Sequence, residues 1–156
     1  CLNEEELLHA LKSLDFDIVL EDIISCVEGA QFIRERFGVK KGIVVHTANY
    51  AMYVGEALKA DIESGLICGN LLATGKAVNG WYATLDQIKE LLDQGCSQRG
   101  LDDLQKVRDS KYADCVTFVP TKYIDKPKYT IGLGDSFVPD FGSAGFSLCE
   151  SLYDRN

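Results

Sequence analysis

Lys41-Gly42-Ile43-Val44-Val45-His46-Thr47-Ala48-Asn49-Tyr50-Ala51-Met52-Tyr53-Val54 is the stretch on which the fold turns. Residues 41–47 hold a run of β-branched apolar residues too short for a helix, and read as a buried strand. Residues 50–54 read as a second strand, close enough behind the first for a hairpin-like turn around Ala48-Asn49.

Upstream, Leu7, Leu8, Leu11 and Leu14 are spaced for a short amphipathic helix beginning near Glu4. A longer helical stripe follows through Phe16, Val19, Ile23, Val27, Ala30, Ile33 and Phe37, stopped by Gly38. Downstream, the small residues of 57–79, with Gly65, Gly69 and Gly75, fit either an interrupted helix or a loop. Thr84 caps a helix running to Leu92, and Leu101, Leu104 and Val107 mark a shorter one. Residues 115–119 form a third strand closed by Pro120, and a last helix is expected after Ser136. Helices alternating with short buried strands predict an α/β layered sheet. Three strands are too few for a sheet covered on both faces, so the core is expected to need further chain. The sequence starts at Cys1 rather than at a methionine, and is read as part of a longer protein.

Between an irregular approach and that last helix lies Gly132-Leu133-Gly134-Asp135. Glycines let backbone approach a ligand closely, and unpaired N–H groups opening a helix favour an anion. An acidic residue there suits a base that takes the proton of a sugar hydroxyl while a phosphoryl group arrives. The alternative is a tight turn in which Asp135 only caps the helix. At the other end, Asn3, Glu4 and Glu6 offer hard oxygen ligands for Mg²⁺ beside substrate phosphates. Asn3 with Glu6 three residues later is equally a capping box.

Composition narrows the classes. Hydrophobic residues make up 46% and charged residues 26%, an ordinary globular balance. No apolar run approaches the roughly eighteen residues of a membrane span, so no membrane association is expected. A net charge of −8 repels phosphate backbones and argues against nucleic acid as a partner. The six cysteines include no Cys-x-x-Cys pair, and only His9 and His46 could join them at a zinc site. They are expected to be free thiols in a cytoplasmic protein.

Taken together, these segments resemble the ADP-dependent glucokinase and phosphofructokinase family of the ribokinase-like superfamily. Asn3-Glu4-Glu5-Glu6 matches its Asn-Glu-x-Glu motif, and 42–47 through Tyr50 resembles its Val-Val-His-Thr strand. Val119-Pro120-Thr121, then Pro127, then residues 130–136 resemble its phosphate-site segment. The resemblance implies the C-terminal half, without the lid, of a ribokinase-like three-layer α/β/α domain, with residues 1–156 a partial nucleotide-binding and catalytic domain. It implies phosphoryl transfer from ADP to a hexose or hexose phosphate, releasing AMP. Asp135 would be the general base, and Gly132, Leu133 and Gly134 would hold the transferred phosphoryl group. Glu6, Glu4 and Asn3 would position Mg²⁺, with Ile124 and His46 beside the adenine. His46 is otherwise a hydrogen-bonded histidine at a strand end, and Ile124 ordinary core. Pro139 and Asp140 depart from the small residues usual in the family's last helix. An ATP-dependent ribokinase-like kinase and a non-catalytic nucleotide-binding fragment are the alternatives, and this stretch by itself is expected to be inactive.

Overall fold

In the computed structural model, which describes residues 1–56, 61–130 and 133–137, the hairpin forms as expected. β2 (Gly42–His46) pairs antiparallel with β3 (Tyr50–Gly55), with Val44 opposite Tyr53 and His46 opposite Ala51. β4 (Val116–Pro120) lies antiparallel along the far side of β3. A two-residue strand, β1 (Leu2–Asn3), adds parallel to β2 through Leu2–Val45 and Asn3–His46. The described sheet is therefore four-stranded, in the order β1-β2-β3-β4. Spatial order follows chain order.

Alternation along each strand divides the core in two. Ile43 and Val45 of β2, Tyr50, Met52 and Val54 of β3, and Phe118 of β4 face one side. There they meet Leu7 and Leu11 of α1 (Glu4–Lys12), and Ile23, Val27, Ala30 and Ile33 of α2 (Ile23–Arg36). Val107 of α5 (Gln98–Arg108) completes that cluster. Val44, Ala51, Tyr53 and Val119 point the other way, against Leu66 of α3 (Ile62–Asn79) and Phe137 of α6 (Leu133–Phe137). α4 (Leu85–Leu92) packs on α3 through Ile88 and Leu91. Helices thus cover both faces, as a three-layer α/β/α arrangement requires, although three strands read as too few for that. A sheet this small is covered because its central strands are apolar on both faces.

Besides α6, which begins at Leu133 rather than after Ser136, two helix expectations change. α2 begins at Ile23 rather than near Phe16, because Asp22 caps it by accepting from Ile24 N–H at 3.0 Å. Val19 and Phe37, at the ends of the expected stripe, are 57% and 64% exposed. Phe16 instead stacks on Phe32, with centroids 4.3 Å apart. Residues 62–79 form one unbroken helix despite their glycines. Gly69 serves a close approach there, since a Cβ on it would stand 2.8 Å from the Phe137 ring. Cys1, Cys26, Cys96 and Cys115 are free as expected, whereas Cys68 is disulfide-bonded, its partner lying outside the described residues. Spacing along the chain does not reveal a bond between distant elements. Among the described residues no helix is long and apolar enough to cross a membrane.

Candidate functional site

β1, β2 and β4 run in the same direction, so Asn3, His46 and Pro120 end three strands at one edge of the sheet. The carboxyl ends of strands are where open α/β sheets form crevices. A cavity of about 690 Å³ lies there. Asn3 and Glu4 line it after β1, Thr47 and Asn49 after β2, and Thr121 to Ile124 after β4. α3 contributes Asn70, Ala73, Thr74 and Ala77, and α6 contributes Leu133, Gly134 and Phe137. A second hollow, of about 740 Å³, is bounded by residues 94–99 and Tyr123. It is a groove beside one loop, and the strand-end motifs do not reach it.

The hairpin turn is locked into the cavity wall. Thr47 Oγ1 accepts from Asn49 and Tyr50 N–H at 3.0 and 3.1 Å. Asn49 carbonyl accepts from Thr121 N–H at 2.8 Å, and Thr121 carbonyl accepts from Ser97 N–H at the same distance. Ser97 Oγ donates to Asn49 Oδ1 at 2.7 Å and accepts from Gly100 N–H at 3.3 Å, capping α5. Gly100 permits this contact, because a Cβ there would stand 2.2 Å from the Asn49 carbonyl oxygen. Buried Asn70 reaches across from α3 to donate to Val119 carbonyl at 3.4 Å.

Of the expected site residues, the cavity gathers Asn3, Glu4, His46, Ile124, Leu133 and Gly134. Ile124 is half-buried at its rim, so the reading as ordinary core does not describe it. Asn3 and Glu6 form the full capping box: Asn3 Oδ1 accepts from Glu6 N–H at 2.9 Å, and Glu6 Oε2 from Asn3 N–H at 2.8 Å. The cap is real, and it leaves Glu4 facing the cavity. Among the described residues no three His, Cys, Asp or Glu side chains converge as a metal site. Gly132, Pro139 and Asp140 lie outside the described residues, as does the side chain of Asp135, whose backbone is in α6.

His46 stacks on Phe137 with centroids 4.9 Å apart and planes 20° from parallel. Burial holds its pKa below the ordinary histidine value, opposed in part by the nearby Glu6 carboxylate. The neutral imidazole is therefore favoured. Lys122, the one Lys or Arg among the described lining residues, donates to the Leu92 and Gln94 carbonyls at 2.7 Å and closes α4. Asn49, Asn70, Thr74, Ser97 and Thr121 escape sequence reasoning. Asn70 and Thr74, one turn apart within the otherwise apolar 65–75 stretch of α3, are the signal that could have found two of them.

No family model matches the chain. It is 27% identical to the ADP-dependent glucose/glucosamine kinase of Pyrococcus abyssi, over 94% of this chain and 33% of that protein. It is 24% identical to the ADP-specific phosphofructokinase of Thermococcus kodakarensis, over 86% of this chain and 32% of that one. The chain thus spans about a third of the length of these relatives. Among solved structures, a phosphofructokinase from Pyrococcus horikoshii with AMP superposes with TM-score 0.72 at 22% identity, covering 99% of this chain and 37% of that one. An ADP-dependent kinase in complex with fructose-6-phosphate and ADPβS gives 0.69 at 22% identity, covering 99% and 39%. The expected resemblance and the ribokinase-like α/β fold are both borne out.

Proposed function

We propose that this chain is the nucleotide-binding and phosphoryl-transfer part of an ADP-dependent sugar kinase. The carrying observation is convergence: Asn3-Glu4, His46, Ile124 and Leu133-Gly134, scattered along most of the chain, line one cavity at the carboxyl edge of the sheet. In the proposed reaction a hydroxyl oxygen of a hexose or hexose phosphate bonds to the β-phosphorus of ADP. The bond from that phosphorus to the bridging oxygen breaks, and AMP leaves with the electron pair. Asp135 takes the hydroxyl proton, while the backbone N–H groups of 132–134 hold the phosphoryl oxygens. Ile124 lies beside the adenine.

Glu4 would offer Mg²⁺ a hard oxygen ligand at the cavity, directly or through water, with Glu6 and Asn3 behind it, whose Oε2 and Oδ1 serve the helix cap. There the ion would neutralise phosphate charge. Neutralisation matters here because Lys122 is already engaged by carbonyls. The reading also places the protein in the cytoplasm.

The test is turnover by the full-length protein, with ADP and ATP each offered against glucose and fructose 6-phosphate while AMP is followed. Sugar phosphorylation with stoichiometric AMP from ADP is expected. Transfer from ATP alone would move the protein to another branch of the kinases, and nucleotide binding without transfer would make it a non-catalytic module.

A further inference from the structure

Among the described residues of α6, Phe137 is the side chain buried in the core. Phe137 is 1% exposed and belongs to the cluster with Val44, Ala51, Tyr53, Leu66 and Val119. One face of its ring meets His46 at the end of β2, with centroids 4.9 Å apart and planes 20° from parallel. On α3, Gly69 leaves room for the same ring, for a Cβ there would come within 2.8 Å of its Cε2 and 2.9 Å of its Cδ2. The imidazole does a second thing. Its Cε1 and Nε2 would stand 3.3 and 3.4 Å from a Cβ at Gly134, so the histidine edge sets how closely the Gly134 backbone can lie. Gly69, Phe137 and His46 thus form a stack that joins α3, α6 and β2.

We infer that Phe137, wedged between Gly69 and His46, is a positioning residue that fixes α6 and the Gly134 backbone against the cavity, and that His46 acts through its stacked ring rather than through a hydrogen bond to nucleotide. The consequence for turnover rests on the proposed kinase activity; the positioning itself does not. Close-packed aromatic stacks have a shallow range of acceptable geometry. Reacting groups misplaced by about 1 Å lose roughly a hundredfold in rate. The stack reaches the cavity from its back wall, so disturbing it changes the transfer step more than the binding of either substrate.

Three variants of the full-length protein test this: Gly69→Ala, His46→Ala and His46→Phe. Gly69 does not line the cavity, so its variant reaches α6 only by pushing the Phe137 ring. Two readouts are taken on each: hydrogen exchange of the backbone amides of 133–137, and kcat with KM for ADP and for the sugar. Gly69→Ala and His46→Ala are expected to speed exchange at 133–137 about tenfold or more and to lower kcat roughly 10–100-fold. Both KM values stay within about threefold. His46→Phe, which keeps a flat ring and removes the nitrogens, recovers slow exchange and most of the lost kcat. Unchanged exchange in Gly69→Ala would overturn the wedge. So would faster exchange with unaltered kcat in an active enzyme. A His46→Phe variant that matches His46→Ala, or that loses ADP affinity alone, would return His46 to the nucleotide. If the wild-type protein transfers nothing from ADP, the functional proposal fails, and the exchange measurement still decides the positioning.

Discussion

Thr121 uses its backbone N–H on Asn49 and its carbonyl on Ser97, yet its hydroxyl oxygen is buried and, among the described residues, without a partner. A polar group shut away unsatisfied costs about 1–3 kcal/mol. Thr121→Val keeps the shape and removes the group, so it should raise stability by about 1 kcal/mol. The check is the urea midpoint at constant m; a lower midpoint would mean that the hydroxyl is satisfied after all. His46 makes the opposite kind of statement, through pH. Its folded pKa lies below the ordinary histidine value of 6.5, chiefly through burial. The unfolded chain therefore binds its proton first. This contribution to stability is complete above the unfolded pKa and declines as pH falls through it towards the folded one. Replacing His46 with phenylalanine should flatten the midpoint-versus-pH curve below about pH 6.5, and an unchanged slope would assign that acid loss to other groups. Asp135 carries the sharpest chemical prediction. Asp135→Asn should cut kcat by at least a hundredfold, within the range typical of general-base removal, with AMP affinity nearly unchanged. Retained turnover would sink the assignment.

At the start of α5, Gly100 sits where its neighbour is a backbone oxygen rather than a yielding side chain. Gly→Ala inside a helix ordinarily gains about 1 kcal/mol. Here the added methyl would press within 2.2 Å of the Asn49 carbonyl oxygen, which is itself bonded to Thr121. Overpacking of that kind costs roughly 1–3 kcal/mol, so Gly100→Ala should be net destabilising and should loosen the Ser97–Asn49 contact. A rise in thermal midpoint would show that α5 can slide away at no cost. Element boundaries were legible where one local device sets them. The two capping boxes, Asn3–Glu6 and Thr84–Gln87, start α1 and α4 where the sequence places them. The apolar runs of β2 and β3 read as strands because each is buried on both faces. α2 was misread because Phe16 continues its helical stripe yet belongs to a loop, stacked on Phe32. β1 was illegible, since its two residues become a strand only by pairing with Val45 and His46.

On the scale of the molecule, Asn3, His46, Ile124 and Gly134, which the ordered motifs assign to one site, line a single cavity. The motifs could not foretell the Ser97–Asn49–Thr121 junction, because Ser97, 48 positions from its partner Asn49, belongs to none of them. Net charge is legible from sequence alone, and it sets the last expectation. A chain of charge −8 repels a nucleotide diphosphate at long range, so affinity has to come from local neutralisation. The proposed cation at Glu4 and Glu6 would supply it. Chelation of divalent ions should therefore abolish transfer, and Mg²⁺ should restore it. Glu4→Gln should raise the Mg²⁺ concentration for half-maximal rate about tenfold, with most of kcat recovered at saturating metal, because a neutral amide is a weaker ligand of the same shape. Glu6→Gln differs in a useful way. The amide retains an oxygen that can accept from Asn3 N–H, so α1 should remain capped while the charge is lost. If both variants keep the wild-type metal requirement, the ion is held by residues outside this strand edge, and Asn3 with Glu6 is a helix cap and nothing more.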